Sequence, residues 1–251
     1  MEKIKLSLVS YLNTKPFLFG IQNFQKIGNL IDISLDVPSI CASKVINNEV
    51  DAGIIPTAVL KDNPQLNVFS NYCLGANSEV QTVLLLSNSE LKNIDKIYLD
   101  SDSKTSVNLV KILAKHFWKI NPKWIENHKV SDVNLESNSG IVAIGDKAFE
   151  VRKNYKFSYD LAQEWFNFTK KPFVFAVWAS NKKLSNQFID VFNEALQFGI
   201  NNIDAVVEQV KADYPHLKSS EIKHYLTQNM EYNFSSEKKE SLELFLDFLR
   251  K

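Results

Sequence analysis

VQTVLLLS, residues 80–87, and PFVFAVWAS, residues 172–180, are strongly apolar runs with strand-forming composition. They flank a middle block, residues 88–171, and how they are read decides the fold. A chain that leaves one lobe through the first run and returns through the second builds two α/β lobes on a paired hinge. One continuous sheet with both runs at its centre satisfies the same pattern. Periodicity leaves both arrangements open.

Upstream of the first run, short apolar segments alternate with helical ones. Residues 3–9 and IDISLDV (31–37) read as strands, and PSICASKVINN (38–48) opens a helix with proline. VDAGIIP (50–56) is a short strand, TAVLKD after it is helical, and NVFS (67–70) is a strand. The pattern restarts at KIYLD (96–100). Val107, Val110, Ile112, Leu113, Phe117 and Trp118 then form a helical stripe. WIEN (124–127) and GIVAIGD (140–146) are strands, YDLAQEWFNFT (159–169) is helical, and residues 185–251 read almost entirely as helix. Alternation of this kind predicts parallel α/β sheets.

Bulk properties narrow the function classes. The 251 residues are 45% hydrophobic, with 29 basic against 29 acidic side chains. A neutral chain has no general field to draw nucleic acid or an anionic membrane, so neither is expected as a partner. No apolar stretch reaches the ~18 residues of a membrane span. Cys41 and Cys73 are too few for a disulfide framework, and the first residues lack a secretory pattern, so a cytoplasmic location is expected. His116, His128, His216 and His224 show no metal-ligand spacing, and nucleotide-binding glycine fingerprints are missing. No metal and no cofactor are expected.

The remaining candidates are polar junctions where strands meet helices. VSYLNTKPF (Val9–Phe17) sets Ser10, Tyr11, Asn13 and Thr14 at the end of the first strand, where open α/β sheets bind ligands. DSDSKTS (Asp100–Ser106) offers Ser103 as a helix cap, with Lys104, Thr105 and Ser106 in the first turn. Gly145-Asp146 permits close backbone approach and caps the next helix. Thr82 and the corner ending Ile55-Pro56 complete the set. Taken singly, each is an ordinary cap, turn or strand hydroxyl. Together, neutral donors at strand ends in both halves suit a small carboxylate held in a cleft.

These motifs also occur in a family order. VSYLNTKPF, EVDAGIIPTAVL, VQTVLLLS, LDSDSKTSVNLVKIL, IVAIGDKAF, PFVFAVWA and YLTQNMEYNFS resemble the chorismate dehydratases of the futalosine route to menaquinone. The resemblance implies a two-lobed, type II periplasmic-binding-protein-like α/β fold with a ligand cleft between the lobes and a helical C-terminal segment. Residues 1–86 with 176–251 would form lobe one, and 87–175 lobe two. It implies a cofactor-free hydro-lyase acting on chorismate. Asn13 matches the family's key amide, and Thr82 stands where many members carry serine. Both would be catalytic. Ser10, Tyr11, Ile55, Pro56, Ser103, Lys104, Thr105, Ser106, Gly145 and Asp146 would bind substrate. Lys104 replaces a common arginine and loses its planar fork. Two alternatives are a non-catalytic small-carboxylate binding protein and the related dihydroxynaphthoate synthase, whose opening motif and histidine have no counterpart here.

Overall fold

A computed structural model describes residues 3–100, 102–126 and 135–251. Ser101, Asn127 and His128, which figure in the expectations above, lie outside the described residues. The first part of the chain forms β1 (Ile4–Val9), α1 (Lys15–Asn23), β2 (Ile31–Asp36), α2 (Pro38–Ile46), β3 (Ala52–Pro56) and β4 (Asn67–Ala76). The middle contains β5 (Val83–Ser87), β6 (Lys96–Tyr98), α3 (Lys104–Ile112), β7 (Lys123–Ile125), β8 (Ser139–Ile144), α4 (Lys147–Val151), β9 (Phe157–Asp160) and α5 (Leu161–Thr169). The last part forms β10 (Phe173–Ser180), α6 (Asn186–Asn201), α7 (Ile203–Val210), α8 (Ser219–His224), β11 (Glu231–Asn233) and α9 (Ser236–Arg250).

The strands make two sheets, ordered β11-β4-β10-β3-β1-β2 and β7-β6-β8-β5-β9. The two-lobed arrangement therefore holds over the single sheet. Both sheets are mixed rather than parallel. β1 runs parallel to β2 and β3, but β10 is antiparallel to β3 and β4. β6 runs parallel to β7 and β8, but β5 is antiparallel to β8 and β9. Of the reversed strands, β5 and β10 are the two that carry the chain in from the crossings, so the hinge itself breaks the parallel pattern. The expected lobe boundary at 86/87 falls inside β5, and that at 175/176 inside β10. By pairing, all of β5 is in the five-stranded sheet and all of β10 in the six-stranded one.

Three local expectations are corrected. The tail is not all helical: β11 adds an antiparallel edge strand to β4. β4 continues through Ala76, well past Ser70, because β10 and β11 supply partners for its polar and glycine positions. Residues 157–160 are strand, and α5 starts only at Leu161, with Asp160 accepting from the amides of Ala162 and Gln163.

Packing fixes the loop that follows β1. In α1, Pro16 presets the first turn and Phe17 is fully buried between the rings of Trp178 and Tyr232, with centroids 5.8 and 5.2 Å away. Gly199 of α6 lets α1 approach this closely: a Cβ there would sit 1.8 Å from the Pro16 carbonyl oxygen. The return crossing is held by α9. Buried Trp165 of α5 packs edge-on against Phe245, and its Nε1 donates to Ser241 Oγ at 3.0 Å. Ser241 Oγ donates in turn to the Pro172 carbonyl.

Candidate functional site

The carboxyl ends of β1 and β3 in one sheet face those of β6 and β8 in the other. Because β5 runs against β8, with Val83 opposite Ile144, Thr82 lies beside Gly145. The Gly145 amide donates to the Thr82 carbonyl at 2.9 Å. Between the sheets is a cavity of about 60 Å³, roomy enough for ordered water or a ligand group.

Seven expected residues meet there: Tyr11, Asn13 and Pro56 from the first lobe, and Thr82, Ser103, Ser106 and Gly145 from the second-lobe side. The sequence reading missed much of the apolar wall. Ile54, Leu74, Phe175 and Ala176 line it, and the pattern of buried strands gives no cue to which apolar residue faces a ligand. Ile54 takes this position and Ile55 points into the core, fully buried, since neighbouring strand residues face opposite ways. Ser10 and Lys104 are exposed and do not line the cavity.

Two further expected residues are engaged in bridging the lobes. Thr105 Oγ1 accepts from the Ala58 amide at 3.2 Å and lies 3.4 Å from Thr57 Oγ1. Asp146 accepts from the Leu12 amide at 3.0 and 3.1 Å and from the Tyr214 hydroxyl at 2.8 Å. It makes no side-chain cap on α4, contrary to the sequence reading. The amide that claims it belongs to a residue 134 positions away, and no local pattern signals such a contact. Burial raises the Asp146 carboxyl above its ordinary range, against the Leu12 and Tyr214 bonds.

Gly145 needs to be glycine twice over. Its φ is +64°, and a Cβ would lie 2.9 Å from the Tyr11 ring. Tyr11 of one lobe thus rests on second-lobe backbone. Burial, then Asp102, Asp100 and Asp146, push its phenol up, so it stays protonated. At α3, Ser103 caps the helix by accepting from the Ser106 amide, and the two hydroxyls share a 2.9 Å bond. Both face the cavity beside the positive end of the helix.

Thr82 and Asn13 form the polar centre. Thr82 is 1% exposed, and its hydroxyl shares a 2.9 Å bond with the Tyr225 hydroxyl. The Asn13 side chain lies near the Tyr225 hydroxyl, and its Oδ1 is buried without a protein partner. Tyr225 escaped the sequence reading because it sits in an apolar helical stripe that looks like core. None of the lining residues carries a charge. Such a site can orient a small polar molecule by hydrogen bonds and exclude water, with the α3 amides available to an anion. Among the described residues there is no cluster of three metal-ligating side chains, and no helix is long and apolar enough to cross a membrane.

Comparisons agree with this architecture. A crystal structure of a protein from Archaeoglobus fulgidus superposes with a TM-score of 0.76 at 14% identity, covering 99% of this chain and 97% of that one. A Candida albicans gene product described as having the generic periplasmic binding protein fold gives 0.64 at 15% identity, over 98% and 90%. The periplasmic aliphatic sulphonate binding protein of Escherichia coli gives 0.61 at 13%, over 100% and 87%. In sequence, a chorismate dehydratase from Thermus thermophilus is 22% identical over 94% of this chain and 96% of its own. Residues 4–251 match the family model described as menaquinone biosynthesis, and the chain belongs to that family, on a periplasmic-binding-protein fold.

Proposed function

We propose that the protein is a cytoplasmic chorismate dehydratase, a hydro-lyase of the futalosine route that needs no cofactor. The observation that carries this reading is the Asn13 carbonyl oxygen, a buried acceptor without a protein partner, in a cavity it shares with Thr82. An acceptor so placed awaits a ligand donor, since leaving it unpaired costs ~1–3 kcal/mol. The ring hydroxyl of chorismate supplies that donor. The likeness to the Thermus thermophilus enzyme supports the substrate. The buried free thiols of Cys41 and Cys73 suit a reducing compartment.

The reaction asks little of the catalyst, because its product ring is aromatic. The substrate's enolpyruvyl carboxylate takes the hydrogen from the ether-bearing ring carbon. The C–H electron pair becomes a ring double bond, and the adjacent C–O bond breaks with its pair on oxygen. That oxygen recovers the proton from the carboxylic acid and leaves as water. Asn13 and Thr82 orient the hydroxyl and the carboxylate for this transfer. An asparagine amide is a poor base, so its part is positioning. Ser103, Ser106 and the α3 amides hold a carboxylate, and the apolar wall of Ile54 and Phe175 faces the ring.

Purified protein with chorismate alone, followed by mass spectrometry, tests the reading. Loss of one water, reduced about 10²-fold or more in Asn13→Ala, is expected. A folded protein that binds chorismate and leaves it unchanged is a small-carboxylate receptor instead. If Asn13→Asp retains full turnover, the role given to the amide fails.

A further inference from the structure

Tyr225 begins the π-helical turn Tyr225–Asn229 that continues α8, and is 2% exposed. Insertions of this kind re-aim side chains and recur at functional sites. Its ring is held by packing, edge-on to Phe149 at 5.0 Å and 89°. Its hydroxyl meets a polar residue of the cavity wall, Thr82, at 2.9 Å.

Counting hydrogens sets the direction of the bond. The buried phenol has one hydrogen, and among the described residues the acceptor within bonding distance is Thr82 Oγ1, so the phenol donates to it. Thr82 then keeps its own hydrogen. Among the described residues, its other acceptor is the Val80 carbonyl, at a long 3.4 Å. Burial pushes the phenol up, so this hydrogen stays in place at neutral pH.

We propose that Tyr225 is a positioning residue for the dehydration: by donating to the Thr82 oxygen it commits the Thr82 hydroxyl to donating into the cavity. This rests on the dehydratase reading. With phenylalanine at 225, the threonine hydrogen has no imposed direction. The C-terminal segment thereby sets the polarity of a site whose wall residues come from strand ends.

The test is steady-state turnover of chorismate by the wild type, Tyr225→Phe, Thr82→Val and the double variant, with melting temperatures alongside. Expected for Tyr225→Phe is a kcat lower by about 10- to 10²-fold, with KM within about threefold and the melting temperature within a few degrees. The double variant should be within about twofold of Thr82→Val, because both changes remove one unit. Additive losses, or a KM that rises as much as kcat falls, overturn the assignment in favour of plain packing. An active wild type matched by Tyr225→Phe overturns the assignment alone. An inactive wild type overturns the dehydratase reading, and the assignment with it. If Tyr225→Phe does not fold, 3-fluorotyrosine at 225 keeps the shape and alters the phenol as a donor. A kcat change of about twofold or more with KM fixed then supports the role, and no change in either overturns it.

Discussion

Two half-buried aspartates, Asp160 and Asp146, hold the junction between the lobes, and they are used differently. At the hinge, Asp160 accepts from four backbone amides: Val80 at 3.0 Å, Gln81 at 2.6 Å, Ala162 at 3.0 Å and Gln163 at 3.2 Å. Two belong to the outgoing crossing, where Gln81 has φ +64°, and two to the first turn of α5. At the mouth, Asp146 accepts from one amide and one phenol, both outside its own lobe's sheet. The first ties the outgoing crossing to the start of α5. The second ties Leu12 and Tyr214 to the loop after β8.

Removing the hinge carboxylate should have the largest effect. Asp160→Ala strands four amides, and a loss of about 3–5 kcal/mol is expected in urea unfolding, with the melting temperature falling accordingly. The same group gives a pH signature. Burial pushes Asp160 up to about 6, against the pull of its amide bonds, whereas an unfolded aspartate titrates near 3.9. Between those values the folded chain holds the extra proton, so stability falls as pH rises through the window and levels off above it. The full span is about 3 kcal/mol. Asp146 is raised too, so its contribution has the same sign. Unfolding curves between about pH 4 and pH 7 should slope this way, less steeply in Asp160→Asn. A stability that climbs with pH would show that the amide bonds outweigh burial.

Asp146→Ala should be milder for folding and felt mainly at closure. In an opened form the Leu12 amide and Tyr214 hydroxyl would regain water, so less than about 1 kcal/mol of folding stability is expected to be at stake. Ligand affinity, which draws on the closed form, should drop about tenfold. Small-angle scattering should show a larger radius than wild type at equal ligand. An equal loss of stability in Asp146→Ala and Asp160→Ala would erase the distinction between hinge and mouth.

How much of this was legible depended on the range of the interaction. Ser103 was readable as a cap because its partner, the Ser106 amide, is three residues away. The strand ends were readable because apolar runs stop abruptly at polar residues. Asp146 was misread for the same reason: an aspartate before a helix looks like a cap, and Leu12 is invisible from there. The two apolar runs could not choose between one sheet and two, since a strand's own pattern says nothing of its neighbour. Only resemblance favoured the lobes. β9 and β11, with four and three residues, are strands by virtue of their partners. Thr82 read as an ordinary strand hydroxyl because the residue that gives it direction, Tyr225, is 143 positions on.

Gly145→Ala bears on the mouth by sterics alone. A methyl group there must resolve a 2.9 Å approach to Tyr11 while holding φ at +64°, which costs about 1 kcal/mol for the backbone before any displacement of the ring. Turnover or ligand binding should weaken by about three- to tenfold, with the wild-type pH slope of stability intact. A flattened slope would mean that the mouth and the hinge titrate as one unit.

The smallest effect is expected at Lys104. It is exposed at the start of α3, and the walls of the cavity are formed without it. A solvated ammonium outside the cavity acts on an anionic ligand through water, where such an interaction is worth less than about 1 kcal/mol. Lys104→Ala should therefore raise KM by no more than about threefold at low salt, and the difference should fade near 0.5 M salt, where screening acts over ~4 Å. Ser106→Ala removes a hydroxyl from the wall itself, and its effect should survive the same salt. The contrast separates a residue that draws ligand to the mouth from one that holds it. If Lys104→Ala lowers affinity tenfold or more at high salt, its ammonium reaches the ligand in the closed state. The anion site would then extend beyond the serines to the first residue of the helix.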